Sequence, residues 1–148
     1  MIHVPMNKKI IVIPIIVIFV VIMMNLSSDE NGKEDDIVFH VTLADPNLYV
    51  NGIFTDELSL EKGEYIFRFV PNGSSPEILS ISLTNNALNF VEDFQLEGIS
   101  HKTEISEYFT WKYEGEKLFS ISEKQEISIV INPNGNVMGS VSVDIIEN

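Results

Sequence analysis

Three residues of the chain could together bind a divalent metal ion. His101 precedes Glu104 and Glu107, and imidazole and carboxylate groups are ligands that suit zinc and similar cations. Their spacing matches neither one face of a strand nor one face of a helix. We therefore interpret them as part of a solvated loop, with a divalent-cation site as the alternative, and we predict no resident metal or cofactor.

Hydrolytic chemistry has little support in the sequence. A nucleophilic Ser or Thr needs a neighbouring base that a third group orients, and no Gly-x-Ser-x-Gly motif occurs. His3 precedes a long apolar run, which leaves His40 and His101 as bases. His40 lies between Phe39 and Val41 in an alternating segment, so we interpret it as a surface residue. The 22 carboxylates always offer pairs for a glycosidase, and any one pair is uninformative. We predict a protein without enzymatic activity.

Four aromatic residues stand close together between positions 108 and 113. Phe109, Trp111 and Tyr113 share one face of a predicted strand, and we expect all three in the core. Tyr108 lies on the opposite face, where it could form part of a platform for a sugar or a partner protein.

A second kind of candidate site is an acceptor sequon. Asn72-Gly73-Ser74 fits the Asn-x-Ser pattern and falls in a predicted turn. Asn72 is therefore a candidate for N-glycosylation in a host that modifies exported proteins.

The elements that position these residues are strands. From residue 37 onward, apolar residues recur with a period of two, which is typical of strands that bury one face. The alternation is strongest over 37–44, 65–70, 79–83, 109–113, 127–131 and 141–145. Weaker strands are predicted at 50–54, 58–60, 88–96 and 118–121. We expect no helix longer than about one turn.

Turn residues separate these strands at short intervals. Asn51-Gly52, Lys62-Gly63 and Asn134-Gly135 are examples, and Asn-Gly between two strong strands predicts a hairpin at 134–135. Seven to nine short strands with such spacing predict an all-β fold, a single antiparallel β-sandwich, with a barrel as the alternative.

The N-terminal segment predicts export. Lys8 and Lys9 precede fifteen apolar residues at 10–24, and an acidic polar segment follows at 27–36. A cleaved signal peptide fits the length, but there is no Ala-x-Ala cleavage pattern. Extension to Leu26 reaches the lower limit of about 17 residues for a membrane-spanning helix. We favour an uncleaved signal anchor, with a cleaved signal as the alternative. The residues that mark the predicted span are Ile10, Pro14, Phe19 and Met24.

The charges around this span predict its orientation. Because both lysines precede it and acidic residues follow, the positive-inside tendency places the C-terminal part outside the cytoplasm. We predict a short cytoplasmic N-terminus (1–9), a transmembrane anchor (10–26), an acidic linker (27–36) and an extracytoplasmic domain (37–148). The protein is thus expected in the cell membrane with a single pass.

The composition restricts the partners. The net charge is −13, and only seven Lys and Arg residues stand against 22 Asp and Glu residues from position 25 onward. Such an acidic surface repels nucleic acid and anionic lipid head groups. The chain has no cysteine, so the fold depends on its hydrophobic core.

Three segments resemble the cupredoxin family. They are 60–69 (LEKGEYIFRF), 71–81 (PNGSSPEILSI) and 138–143 (MGSVSV), which are similar to a Gly-x-Tyr-x-Phe strand, the Pro-His strand after it, and the last strand with its copper-binding Met. The resemblance implies a cupredoxin- or immunoglobulin-like sandwich. Glu77 stands where the family has a His, and the copper-binding Cys is absent. A type 1 copper centre, which needs His₂Cys ligation, is therefore excluded.

Taken together, these patterns predict a non-enzymatic, membrane-anchored domain at the cell envelope. We expect it to bind, scaffold or assist other envelope proteins. The alternative is a module that binds carbohydrate or a divalent cation.

Overall fold

The computed structural model describes residues 36–148, and nine strands with one short 3₁₀ turn account for their regular structure. The strands are β1 (Ile37–Leu43), β2 (Phe54–Leu60), β3 (Gly63–Pro71), β4 (Ile78–Thr84), β5 (Asn89–Lys102), β6 (Glu107–Glu114), β7 (Leu118–Ile121), β8 (Gln125–Asn132) and β9 (Val141–Glu147). The 3₁₀ turn spans Pro46–Leu48.

The strands form two antiparallel sheets that pack on one shared core. One sheet has four strands in the order β1-β9-β3-β7, and the other has five in the order β2-β8-β4-β5-β6. Inward side chains of both sheets form a single buried cluster that includes Leu43, Phe67, Ile81 and Ile129. The all-β prediction is confirmed, and the arrangement is sandwich-like.

Alternation in the sequence located most strands correctly, because each buries one face. The buried faces meet in a cluster of rings: the Phe67 centroid lies within about 6 Å of those of Phe69 and Phe119 in its own sheet and of Phe90 and Phe94 in β5 of the other sheet. Such stacked and tilted ring pairs add to the free energy gained by burial.

Two strand predictions need correction. The segment 50–54 is not a strand: Val50 and Ile53 form one isolated bridge around a tight turn, in which Asn51 and Gly52 have positive φ values of 53° and 83°. The strand begins at Phe54 and continues to Leu60, so it includes the predicted strand at 58–60. An Asn-Gly pair tolerates positive φ and so favours a tight turn, whether or not a strand lies next to it.

The hairpin predicted at 134–135 is wrong. Asn134 and Gly135 do form a turn with positive φ, but β8 pairs with β2 and β4 whereas β9 pairs with β1 and β3. The turn therefore carries the chain from one sheet to the other.

The described residues contain no helix of a length and apolarity that could cross a bilayer. The predicted anchor at 10–26, with Ile10, Pro14, Phe19 and Met24, lies outside the described residues. So does the linker predicted at 27–36, apart from Asp36.

Candidate functional site

Strand β5 is long, and its second half extends beyond its pairing with β4. Its pairing with β4 ends at Gln95, opposite Ile78, while its pairing with β6 continues to Lys102, opposite Glu107. The Leu96 amide still bonds to the Glu77 carbonyl, so residues 97–102 pair with β6 alone among the described residues. Together with the loop 103–106 and residues 107–112 of β6, they form a two-stranded hairpin that we call the arm.

The arm exposes apolar side chains on both faces. Ile105 at the tip is 95% exposed, Tyr108 52% and Phe109 53%, and Ile99 and Trp111 are exposed to a lesser degree. Several large exposed apolar side chains on one short hairpin usually mark a site of interaction.

The expectation that Phe109 and Trp111 belong to the core is wrong. They do share a face with Tyr113, which is buried at 1% exposure. Phe109 and Trp111 lie on the part of the hairpin that pairs with no further strand among the described residues, and of the three only Tyr113 is buried. Its hydroxyl donates to the Pro76 carbonyl at 2.6 Å, and burial raises its pKa.

Trp111 connects the arm to the sandwich. A Cβ atom at Gly98, directly across the pair, would lie 2.9 Å from Cζ3 of the indole, and one at Gly73 would lie 3.3 Å from Cζ2. The ring thus packs on two residues that lack side chains, one in β5 and one in the turn between β3 and β4. Phe109 stacks on Trp111 with 6.1 Å between centroids.

Tyr108 lies on the opposite face of the arm, as predicted. Its ring stacks on the imidazole of His101, with centroids 4.9 Å apart and planes inclined by 13°. His101 is held in turn by Thr110, whose Oγ1 lies 2.8 Å from Nε2. The result is a stacked pair of rings that is partly open to solvent.

The three candidate metal ligands are on the arm but do not converge on one point. His101 bonds to Thr110 on one face, and Glu107 accepts a hydrogen bond from Ser100 Oγ at 2.6 Å. Within residues 36–148, neither these residues nor any other His, Asp and Glu form a group of three that could hold a metal ion. Glu104 is exposed in the loop.

The charges of the arm are largely paired along β5 and β6. Lys112 bonds to Glu114 and approaches Glu97 at 3.7 Å, and Lys102 lies 3.8 Å from Glu107. The bond to Glu114 raises the pKa of Lys112, and the lysine lowers the pKa of Glu114. These pairs are solvated, so they contribute little stability.

Asn72 stands in the exposed turn that touches Trp111. Its Oδ1 accepts hydrogen bonds from the Ser74 amide at 2.8 Å and from the Ser74 hydroxyl at 2.6 Å. The sequon is thus on the surface, and its use for N-glycosylation stays a prediction.

A polar cluster that the sequence did not reveal lies on the outer face of the four-stranded sheet. Asp144 in β9 is buried at 3% exposure. It accepts from Arg68 Nε and Nη2, each at 2.9 Å, and lies 2.5 Å from His40 Nδ1. His40 and Arg68 are the cross-strand neighbours of Asp144 on its two sides. Because His40 and Asp144 are 104 positions apart, no local motif could have indicated the contact.

This cluster has the order of a catalytic triad but lacks other parts of one. Thr42 Oγ1 lies 3.3 Å from His40 Nε2, and His40 Nδ1 contacts Asp144. Acyl transfer also needs a concave site and donors aimed at an oxyanion. Here the groups stand on an open sheet face, with the His40 side chain 56% exposed. Arg68 also occupies the carboxylate, so we interpret the cluster as a structural one.

The two positions aligned with copper ligands in the cupredoxin resemblance are both exposed. Glu77 precedes β4, and Met138 lies in the turn between β8 and β9. Comparison of the chain with protein-family models, curated proteins and solved structures finds no match. Function must therefore be argued from the surfaces described above.

Proposed function

We propose that this protein is a membrane-anchored, extracytoplasmic binding domain that attaches to a partner protein through its arm. The anchor is the apolar run at 10–26, with the chain after it outside the cytoplasm. The domain has no enzymatic activity in this proposal. In this proposal its fold is a cupredoxin- or immunoglobulin-like sandwich, which serves as a scaffold for the arm.

The observation that carries the proposal is the exposure of apolar side chains on the arm. Within residues 36–148, every buried hydrophobic residue lies outside positions 97–112. The arm therefore adds little to the core, while it exposes aromatic and aliphatic surface to water at a cost of about 25 cal/mol per Å². A partner that covers this surface would recover that free energy.

The charge of the domain restricts the class of partner. The described residues carry 18 Asp and Glu against six Lys and Arg. A nucleic acid or an anionic lipid surface would be repelled. The apolar arm favours a protein, because aromatic residues surrounded by polar ones are characteristic of protein interfaces.

Site-specific photo-crosslinking in cells that make the protein tests the proposal. A photoreactive side chain at Phe109 should give one discrete adduct. The same group at Lys124, whose side chain is 66% exposed, serves as the control and should give none; it precedes Gln125, which bonds to Asn85 at the end of the five-stranded sheet opposite the arm. Ile105→Ser combined with Trp111→Ser should abolish the adduct at Phe109. Equal labelling from both positions, or no adduct from either, would contradict the proposal.

One further observation favours carbohydrate binding as a second candidate. The ring of Tyr108 stacks on His101 and is 52% exposed, so it offers an aromatic surface of the kind on which sugar rings stack. If this is the function, the thermal midpoint of the protein should rise with a glycan ligand. Tyr108→Ala should lose that shift, and Tyr108→Phe should keep it.

A further inference from the structure

The free edge of the five-stranded sheet, β6, runs along the arm. We propose that the partner of the arm is a second copy of this chain, joined to it by antiparallel pairing of β6 with β6. The inference rests on the proposed function, since it names the occupant of the same surface.

Strand β6 lacks the features that usually protect a sheet edge. Free edges are commonly short, bulged or charged. The other three edge strands conform to this rule: β7 has four residues, β1 has an irregular register at its start, and β2 carries Asp56 and Glu57 at its centre. β6 has eight residues, an unbroken register with β5, and an uncharged centre from Tyr108 to Trp111.

The backbone groups that face this open edge can be identified. The Thr103 amide donates to the Ser106 carbonyl at 2.8 Å, which sets the phase of hydrogen bonding in the hairpin. Because hydrogen-bonded and non-hydrogen-bonded pairs alternate in an antiparallel ladder, every second residue of β6 bonds to β5. The others direct their N–H and C=O groups to the open edge; they are Glu107, Phe109, Trp111 and Tyr113.

A separate hydrogen bond agrees with this phase. The Leu96 amide donates to the Glu77 carbonyl at 2.9 Å, away from β6. Leu96 is paired with Tyr113 across the hairpin. Tyr113 therefore belongs to the set whose backbone groups do not bond to β5.

One register makes β6 complementary to itself. A two-fold axis at Thr110 places Phe109 opposite Trp111 of the second copy, on the inner face and twice by symmetry. On the outer face it places Tyr108 opposite Lys112, where a cation can approach an aromatic ring. Aromatic cross-strand pairs each contribute about 0.2–1 kcal/mol.

The same register avoids repulsion at the strand ends. Glu107 falls opposite Tyr113, and Glu114 falls opposite Ser106, so no two like charges stand directly across from each other. The pairing would join the two five-stranded sheets into one continuous sheet. It would also cover both exposed aromatic residues of the inner face.

The absence of cysteine from the chain makes the register directly testable. In the proposed dimer, Thr110 lies opposite Thr110 of the second copy in a non-hydrogen-bonded pair, and their Cα atoms are about 4.5 Å apart. That separation permits a disulfide. The full-length Thr110→Cys variant, purified in detergent and mildly oxidised, should therefore form a covalent dimer at least about tenfold faster than Val91→Cys, an exposed control in β5.

Neighbouring single-cysteine variants determine the register. Phe109→Cys and Trp111→Cys should cross-link slowly, because each faces the other residue in the second copy. Fast cross-linking of either one instead of Thr110→Cys would overturn the proposed register. Equal rates for Thr110→Cys and Val91→Cys would overturn the pairing itself.

Backbone pairing is tested by two substitutions at one position. Phe109→Pro and Phe109→Ser both remove the ring, but only proline removes the amide that faces the open edge. Sedimentation of the full-length protein should show a monomer for the proline variant and a weakened dimer for the serine variant. Equal weakening by both would contradict strand addition.

Salt distinguishes a second copy from a different partner. Two acidic copies repel each other, so raising the salt concentration should strengthen the dimer. A cationic partner would be released instead. If the chain is a monomer at all salt concentrations but gives a photo-adduct with another protein at Phe109, the proposed function stands and this inference fails. If neither the dimer nor an adduct forms, both fail.

Discussion

Replacement of Asp144 by asparagine removes the buried negative charge at the centre of the outer-face cluster. Asp144 accepts hydrogen bonds from Arg68 through two nitrogen atoms, and its Oδ1 contacts His40. Asparagine has nearly the same shape but is neutral, and its single carbonyl oxygen replaces a carboxylate that accepts on both oxygens. We expect the variant to fold with a lower free energy of unfolding.

The size of the loss follows from the exposure of the partners. Removal of one member of a fully buried ion pair costs about 3–5 kcal/mol, because the other charge stays unpaired. The side chains of Arg68 and His40 are 40% and 56% exposed, so water can replace part of what they lose. We therefore expect Asp144→Asn to cost about 1.5–3 kcal/mol. Arg68→Met should cost more, since it removes the arginine from a carboxylate that stays buried and keeps only its contact with His40.

Urea unfolding of the full-length protein, followed by far-ultraviolet circular dichroism, measures these changes. Asp93→Asn is the matched control, because Asp93 is an exposed carboxylate in the middle of β5. It should change stability by less than about 0.5 kcal/mol. A His40→Ala variant should show the smallest loss in the cluster, because His40 is its most exposed member.

The result that would refute this reasoning is an Asp144→Asn protein as stable as the parent, or more so. Catalytic groups are often held at a cost in stability, and their removal is then neutral or stabilising. Such an outcome would therefore point back to the triad-like order of Thr42, His40 and Asp144. Assays of hydrolysis with a panel of ester substrates would then decide whether the cluster is catalytic.

Three further predictions concern single residues. Burial raises the pKa of Tyr113, so this tyrosine ionises at lower pH in the unfolded chain than in the folded protein. The group should therefore leave the free energy of unfolding unchanged below about pH 10 and lower it as the pH rises further. Tyr113→Phe should make that decrease shallower, which urea unfolding near pH 9 and pH 11 would measure. Gly98→Ala should push the indole of Trp111 towards water and shift its fluorescence to longer wavelength, whereas an unchanged spectrum would contradict the packing described for the arm. Gly139→Ala should cost about 1–3 kcal/mol, because its Cβ would lie 2.3 Å from the Ser74 carbonyl oxygen. It should cost more than Gly135→Ala, where no atom lies within 4 Å and only the positive φ of 93° opposes a side chain; a smaller loss at Gly139 would contradict the clash with Ser74.

The sequence predicted the strands well because burial of one face imposes a period of two. The alternation over 127–131 and 141–145 corresponds directly to β8 and β9. Periodicity carries no information about which sheet a strand joins. The turn at Asn134 and Gly135 therefore predicted a hairpin, although the chain changes sheets there.

The candidate site was only partly predictable for a similar reason. A shared face was correctly inferred for Phe109, Trp111 and Tyr113, but burial depends on how far the opposite sheet extends. The outer-face cluster was not predictable at all, since His40 and Asp144 meet only once β1 and β9 have paired. Both failures concern contacts between segments that are distant in the chain.

The open backbone edge and the exposed aromatic residues have one common cause. β5 continues through residues 97–102 beyond its last contacts with β4 and Glu77, so among the described residues this part of the hairpin pairs with no strand except β6. A hairpin that ended at the pair Leu96 and Tyr113 would bury the same core, because no buried hydrophobic residue lies between 97 and 112. Stability of the domain therefore gives no reason for the extra length. Binding does, because only a partner strand would satisfy the backbone groups and cover the aromatic rings at once.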